Sequence, residues 1–120
     1  MSIINIAQSF LQLAGLGKVQ EAFDQYVSPE FIHHNQYFKG GREALFFAME
    51  EAHRSSPNKS IEIKYAYRDD DTVITHSLVK KQDMDIAVVH IFRFAGNKIV
   101  ELWDLGQVID PHSPNENGLF

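Results

Sequence analysis

Ile86-Ala-Val-Val-His-Ile-Phe-Arg-Phe-Ala-Gly-Asn-Lys-Ile-Val-Glu-Leu-Trp-Asp-Leu-Gly-Gln107 holds two apolar, β-rich runs divided by Ala95-Gly96-Asn97. The pattern predicts a β-hairpin whose strands are too apolar to face water on either side. His90, Asp104 and Gln107 interrupt those runs, and a buried sheet normally avoids such side chains. A buried polar group costs stability unless it is paired or faces a ligand. The hairpin therefore reads as the wall of a cavity dotted with a few polar groups.

Upstream of the hairpin the period is also two. Ile61, Ile63, Tyr65 and Tyr67 alternate with Glu62, Lys64, Ala66 and Arg68. Asp69-Asp70-Asp71 is a solvated turn. Thr72 to Lys80 is the next strand, with Ile74, His76 and Leu78 on one face and Val73, Thr75, Ser77 and Val79 on the other. Lys81 to Asp85 forms a polar loop. Further back the period becomes helical. Ile3, Ile6, Ala7, Phe10, Leu13 and Leu16 mark one helix, ended by Gly15 and Gly17. Val19, Ala22, Phe23 and Tyr26 mark a second, stopped by Ser28-Pro29. A short strand, Phe31 to Asn35, leads through Lys39-Gly40-Gly41 into a third helix from about Arg42 to His53, with Leu45, Ala48, Met49 and Ala52 as its stripe. The order is helix, helix, short strand, helix, four-strand meander. Strands segregated from helices predict an α+β fold. An antiparallel sheet curling around its helices leaves one concave face, where small-molecule sites form.

Composition narrows the function classes. A chain of 120 residues with 44 % hydrophobic side chains makes one domain, residues 1–120, with a core of its own. With no cysteine, disulfides, thiolate metal sites and a cysteine nucleophile are excluded. The formal charge of −5 argues against general affinity for nucleic acid or an anionic membrane surface. No run approaches a membrane span, and the N-terminus lacks the basic start of a signal peptide, so a cytoplasmic protein is expected.

Strand register decides which polar side chains meet. With Ala95-Gly96-Asn97 as a three-residue loop, Phe94 pairs with Lys98, His90 lies opposite Leu102, and Val88 opposite Asp104. With Lys81 to Asp85 as a five-residue loop, Lys80 pairs with Ile86 and His76 falls opposite His90. Directly opposed residues have Cβ atoms about 4.5–5.5 Å apart. His76, His90 and Asp104 are then expected on one face. A two-residue Gly96-Asn97 turn instead shifts the last strand by one and brings Glu101, Trp103 and Gln107 to that face.

His34-Asn35 in the first strand, Lys39-Gly40-Gly41-Arg42-Glu43-Ala44 opening the third helix, and Ile91-Phe92-Arg93-Phe94 with Gly96-Asn97-Lys98-Ile99-Val100-Glu101-Leu102-Trp103-Asp104 and Gln107 resemble the SnoaL-like polyketide cyclase family. The chain is most similar to the branch predicted to catalyse aldol condensations, and Asn115-Glu116-Asn117-Gly118-Leu119-Phe120 is similar to that branch's tail. The resemblance runs from about Phe31 to the C-terminus. It implies the cone-shaped, cystatin-like α+β barrel of the superfamily that includes nuclear transport factor and ketosteroid isomerase. There a curved antiparallel sheet wraps around the three helices and a pocket, often in a dimer. Two positions depart from the family pattern, which often has Asp where His90 stands and His where Leu102 stands. The histidine has in effect moved to the facing strand.

Asp104 is the candidate general base, because a carboxylate in an apolar pocket exchanges a proton near neutral pH. His34 and His90 are candidates for an acid, a base or a hydrogen-bond donor to a substrate carbonyl. His33 and His34 are adjacent in a strand and point to opposite faces; the resemblance selects His34 for the pocket. His76, Asn35, Tyr37, Trp103 and Gln107 are candidate ligand-binding residues, and Phe38, Phe46 and Phe47 add aromatic surface that equally suits a core or a dimer contact. Histidines with Asp104 also suit a metal, but no His-x-His or His-Glu-x-x-His spacing supports one, and no metal or cofactor is expected. Gly40-Gly41 lacks a phosphate-loop pattern, and Ser55-Ser56 lacks a nucleophile motif.

The reading that follows is a cofactor-free enzyme acting on a small hydrophobic or carbonyl-containing ligand. Asp104 removes a proton next to the carbonyl, and a histidine stabilises the enolate, for aldol-type cyclisation or isomerisation. A non-catalytic binding or dimerisation module of the same fold is the alternative from another class, and a hydrolase or dehydratase on that scaffold is a third. Val89, Ile91, Ile99, Trp103 and Leu105, with Arg93 and Glu101, are assigned to the outer sheet face. That much apolar surface predicts a homodimer through it.

Overall fold

A computed structural model describes residues 1–120. The elements are α1 (Ile3–Gly15), α2 (Val19–Tyr26), β1 (Val27–His34), α3 (Arg42–Ser55), β2 (Asn58–Asp69), β3 (Thr72–Lys81), β4 (Asp85–Ala95) and β5 (Lys98–Val108). The strands form one sheet in the order β1-β5-β4-β3-β2. β2 to β5 make the antiparallel meander, and β1 lies parallel to β5 at one edge. Pro29 is tolerated in β1 because an edge strand needs fewer ladder donors. The architecture is the α+β cone, a curved sheet with three helices on its concave side. No helix is long and apolar enough to cross a membrane.

Local chemistry explains the helices. Ser2 caps α1 by accepting a hydrogen bond from the Asn5 amide, 3.3 Å. Ile3, Ile6, Ala7, Phe10, Leu11 and Ala14 then form its buried stripe, which leaves Leu16 exposed beyond the helix end. α2 buries Val19, Ala22 and Phe23. α3 packs more shallowly than its sequence stripe suggests: Leu45 is its one buried residue, Phe46 and Met49 pack partly, and Ala52 is exposed.

These stripes meet Val73, Phe92, Phe94, Ile99 and Leu102 from the sheet in one hydrophobic core. Phe10 sits between Phe23 and Phe92, with ring centroids 5.7 and 6.1 Å away. Such tilted and edge-on contacts suit the aromatic quadrupole.

Two β-bulges change which residues face the helices. On β2 the pairing passes from Ile63 opposite Ser77 to Tyr65 opposite His76, so Lys64 is the extra residue. Ile61 and Ile63 therefore face inward, whereas Tyr65 and Tyr67 face outward, and the four do not share one face. On β5 the pairing passes from Ile99 opposite Phe94 to Glu101 opposite Arg93, so Val100 is the extra residue. Ile99 is thereby turned into the core, fully buried, and does not belong to the outer face where the sequence assigned it.

Candidate active site

The second bulge decides the site. The hairpin turn is the two-residue Gly96-Asn97 form, with Ala95 opposite Lys98, and not the expected three-residue loop. Alone, that turn would have put Trp103 in the cavity. The extra residue at Val100 reverses the alternation, so Leu102 and Asp104 face inward after all. His90 then lies directly opposite Asp104, not Leu102. Between β3 and β4 the pairs are Lys80 with Asp85 and Thr75 with His90. His76 pairs with Val89 and lies on the outer face, so the expected meeting of His76 with His90 does not occur. On β3 the core-facing set is Val73, Thr75, Ser77 and Val79, all buried. Side-chain polarity misleads here, because the outer set of Ile74, His76 and Leu78 is no less apolar.

β1 also turns the other way from the reading. His33 pairs with Leu102 and is buried, whereas His34 pairs with Trp103 and points outward. His34 stacks on the Trp103 indole, with centroids 4.7 Å apart and planes within 10°. Its Nε2 lies 2.7 Å from Glu101, whose other oxygen accepts from Arg93 Nε at 2.9 Å. The hydrogen bond from His34, aided by Arg93, holds the Glu101 carboxyl below its usual range against the opposing effect of burial. His34 thus belongs to an outer-face network and touches only the rim of the cleft described next.

The inward polar groups converge towards the end of the sheet where β1 and β5 finish and β4 begins. Asp104 Oδ1 lies 3.5 Å from His90 Nε2, and Asp104 Oδ2 accepts from Asn35 Nδ2 at 2.9 Å. Asp104 lines a cleft of about 570 Å³ together with Asn35, Tyr37, Ile86, Val88, Leu105 and Gly106 among others, and His90 meets the carboxylate from outside that lining. That volume is within the ordinary range for ligand sites. Gly106 adds no side chain to the lining, where a Cβ would sit in ordinary contact with Val88 and Ile86. Gln107 stands at the lip from the outer side, opposite Ala87, and Trp103 is outside. Tyr37 is largely exposed, with its amide donating to Asn35 Oδ1 at 3.0 Å. Of the residues expected in the cavity, Asp104, His90 and Asn35 come together, and Tyr37 and Gln107 line the mouth of the same cleft. His34, His76 and Trp103 do not join the first three. No three His, Asp or Glu side chains converge in a metal-binding arrangement.

The sequence reading missed His33, Thr75 and Ser77. His90 Nδ1, Thr75 Oγ and Ser77 Oγ are buried without a protein hydrogen-bond partner. Buried polar atoms are nearly always satisfied, which sets this strip of β3 and β4 apart from the apolar core around it. Alternation in β3 was the available signal, because two hydroxyl residues share one face with Val73 and Val79.

Burial pushes the His90 imidazole below its ordinary range, with Asp104 opposing. A histidine kept neutral in the native state makes unfolding easier in acid, because the unfolded chain binds the proton more tightly. Stability is therefore expected to fall as pH drops below about 6.5, the ordinary histidine value, and to level off once pH is below the folded pKa. Urea melts of the native protein and of His90→Leu between pH 7.5 and 5 check this. The variant should show a flatter profile, and equal slopes would refute a neutral buried His90.

The sequence matches the model of the SnoaL-like domain over residues 8–102. The chain belongs to the SnoaL-like family. No protein of curated function matches it. Among solved structures, an NTF-2 like protein of unknown function from Burkholderia xenovorans LB400 has a TM-score of 0.73 at 16 % identity, over 95 % of this chain and 88 % of the other. A candidate polyketide cyclase from Acidithiobacillus ferrooxidans has a TM-score of 0.73 at 16 % identity, over 88 % and 89 %. An LEH-like epoxide hydrolase from M. tuberculosis has a TM-score of 0.69 at 14 % identity, over 88 % and 82 %. At these identities the likeness is one of fold. It agrees with the cone architecture and with the SnoaL-like resemblance carried by the sequence motifs.

Proposed function

We propose that this SnoaL-like protein catalyses cofactor-free proton transfer on an uncharged carbonyl compound in the Asp104 cleft. The observation that carries the reading is a carboxylate seated between His90 and Asn35 at the floor of a partly apolar cleft. No lysine or arginine lines that cleft, so nothing there rewards an anionic substrate. Asp104 takes the proton from the carbon next to the carbonyl, and the C–H electron pair moves into an enolate. Asn35 Nδ2 carries two N–H groups and spends one on Asp104, which leaves the other for the enolate oxygen. Neutral His90 steadies the carboxylate, and its 3.5 Å contact is of the kind that tightens when substrate is bound. The enolate carbon then attacks a second carbonyl, whose oxygen takes the proton back from Asp104, giving aldol cyclisation, or, where a neighbouring double bond makes it a dienolate, it takes that proton at the far carbon, giving isomerisation.

The fold's occurrence in a candidate polyketide cyclase supports the first outcome. Its occurrence in an epoxide hydrolase raises a second reading, in which Asp104 activates water. That reading wants an acceptor beside the carboxylate to orient the water, and Asn35 Oδ1, which accepts one bond from the Tyr37 amide, keeps a second lone pair for it. Incubation with a panel of ketones and β-diketones in D₂O tests the proposal. Deuterium should enter the α-carbon with native protein and not with Asp104→Asn. No exchange with any carbonyl compound, together with diol formation from epoxides, would favour the hydrolase.

The outer face supports assembly as a homodimer. Ile74 and Leu105 are exposed there beside Val89, Ile91 and Trp103, and the tail covers part of the face, with Phe120 on His76 at 4.8 Å and Leu119 towards Val89 and Gln107. An exposed apolar area of this kind is commonly closed by a two-fold contact. Light scattering at micromolar concentration should give twice the chain mass, and Leu105→Glu should shift it to one. A native monomer would contradict the dimer, and an unweakened Leu105→Glu dimer would contradict the surface.

A further inference from the structure

His33 is buried beneath the loop that carries Asn35, and nothing in the proton-transfer scheme uses it. Its ring makes two hydrogen bonds of opposite sense. Nε2 donates to the Lys39 carbonyl at 2.6 Å, and Nδ1 accepts from the Asn35 amide at 3.1 Å. Its backbone amide donates to the Gly40 carbonyl at 3.0 Å, and Ile32 bridges to Gly41. The imidazole therefore spans both ends of the Asn35–Lys39 loop. The ring also lies against Phe31, with centroids 6.3 Å apart and planes within 27°.

We propose that His33 is the positioning residue of this site: its neutral Nε2–H imidazole fastens the Asn35–Lys39 loop so that Asn35 stays on Asp104. This rests on the proton-transfer reading only for its effect on turnover. The structural half stands alone, because one short loop joins the two contacts. The His33 ring fixes the Asn35 backbone, and the Asn35 side chain reaches Asp104. Only the neutral tautomer satisfies both bonds, since a proton on Nδ1 would set donor against donor at the Asn35 amide. The charged or titratable groups around it are Asp104 through Asn35, His90 opposite Asp104, Tyr37 within the loop, Lys39 and Arg42 flanking the loop end, and His34 and Glu101 on the opposite face.

The bond from the Asn35 amide has the spacing of an Asx turn, which an asparagine side chain reproduces without titrating. His33→Asn should therefore keep the loop anchored, and His33→Leu should release it. The readout is NMR of the native protein and both variants, following the Asn35 side-chain amide and the His33 ring nitrogens across pH. In native protein His33 should show a protonated Nε2 and a bare Nδ1 at neutral pH. The Asn35 amide signals should shift in step with His33 protonation. That shift should vanish in His33→Asn, and in His33→Leu the signals should sit at the released position at every pH. Exchange activity should drop roughly 10-fold or more in His33→Leu and recover in His33→Asn, in line with the loss of one positioned group. Asn35 signals that stay still while His33 titrates would overturn the proposal, even if His33→Leu fails to fold. Signals that move as expected with no exchange activity in any form would overturn the proton-transfer reading and leave the clamp standing.

Discussion

Asp104→Asn is expected to lower turnover by about 10²–10⁴-fold, the usual contribution of a positioned general base, while leaving the fold and ligand affinity nearly unchanged. The isostere keeps an acceptor for Asn35 Nδ2, so the 2.9 Å contact survives. What disappears is the capacity to hold a proton at that oxygen. His90 is a poor substitute, because burial weakens its imidazole as a base and the variant removes the Asp104 charge that opposes that effect. The change should fall on kcat rather than on KM, since the proton moves only in the transition state. Urea melts provide the control for folding. Unchanged turnover in a folded Asp104→Asn protein would remove Asp104 from the chemistry. A fall confined to KM would reduce its role to binding.

Phe92→Ala is expected to cost about 3–5 kcal/mol of stability, the range for removing a buried aromatic ring. Phe92 is fully buried and touches Phe10 from α1 edge-on, Phe94 on its own strand, and His90 at 5.9 Å. Its loss removes the contact between the first helix and the centre of the sheet. For a domain of ordinary stability that is a large fraction of the total. The urea midpoint should fall steeply, with the slope unchanged if unfolding stays two-state. A loss under about 1 kcal/mol would mean that α1 and β4 repack freely, contrary to close packing around Phe10.

The elements themselves were legible. Helical spacing from Ile3 to Leu16 and from Val19 to Tyr26, period two through the last half of the chain, and a turn at Ala95-Gly96-Asn97 between apolar runs reflect local geometry alone. The order of those elements led to an α+β fold with a concave face, and the motifs around His34-Asn35 and Ile91 to Asp104 led to the SnoaL-like family. Asp104 and His90 stood out as polar groups within apolar strands and Asn35 within the family-like motif, and those three do meet.

Which side each strand shows to the core could not be read in the same way. A strand's alternation is defined only up to a one-residue slip, and each slip exchanges the two faces. The extra residues at Lys64 and Val100 are such slips, and no local signal sets them apart from their neighbours. They are settled by how the sheet must coil to close over Phe10, Phe23 and Phe92. The parallel pairing of β1 with β5 likewise chose His33 over His34, because only that arrangement seats Phe31 and His33 against the helices and leaves His34 on Trp103. The sequence by itself determined the elements, their order and the polar groups available for chemistry. The tertiary structure alone decided which histidines lie beneath the cleft, because facing is a property of the closed sheet and not of any one strand.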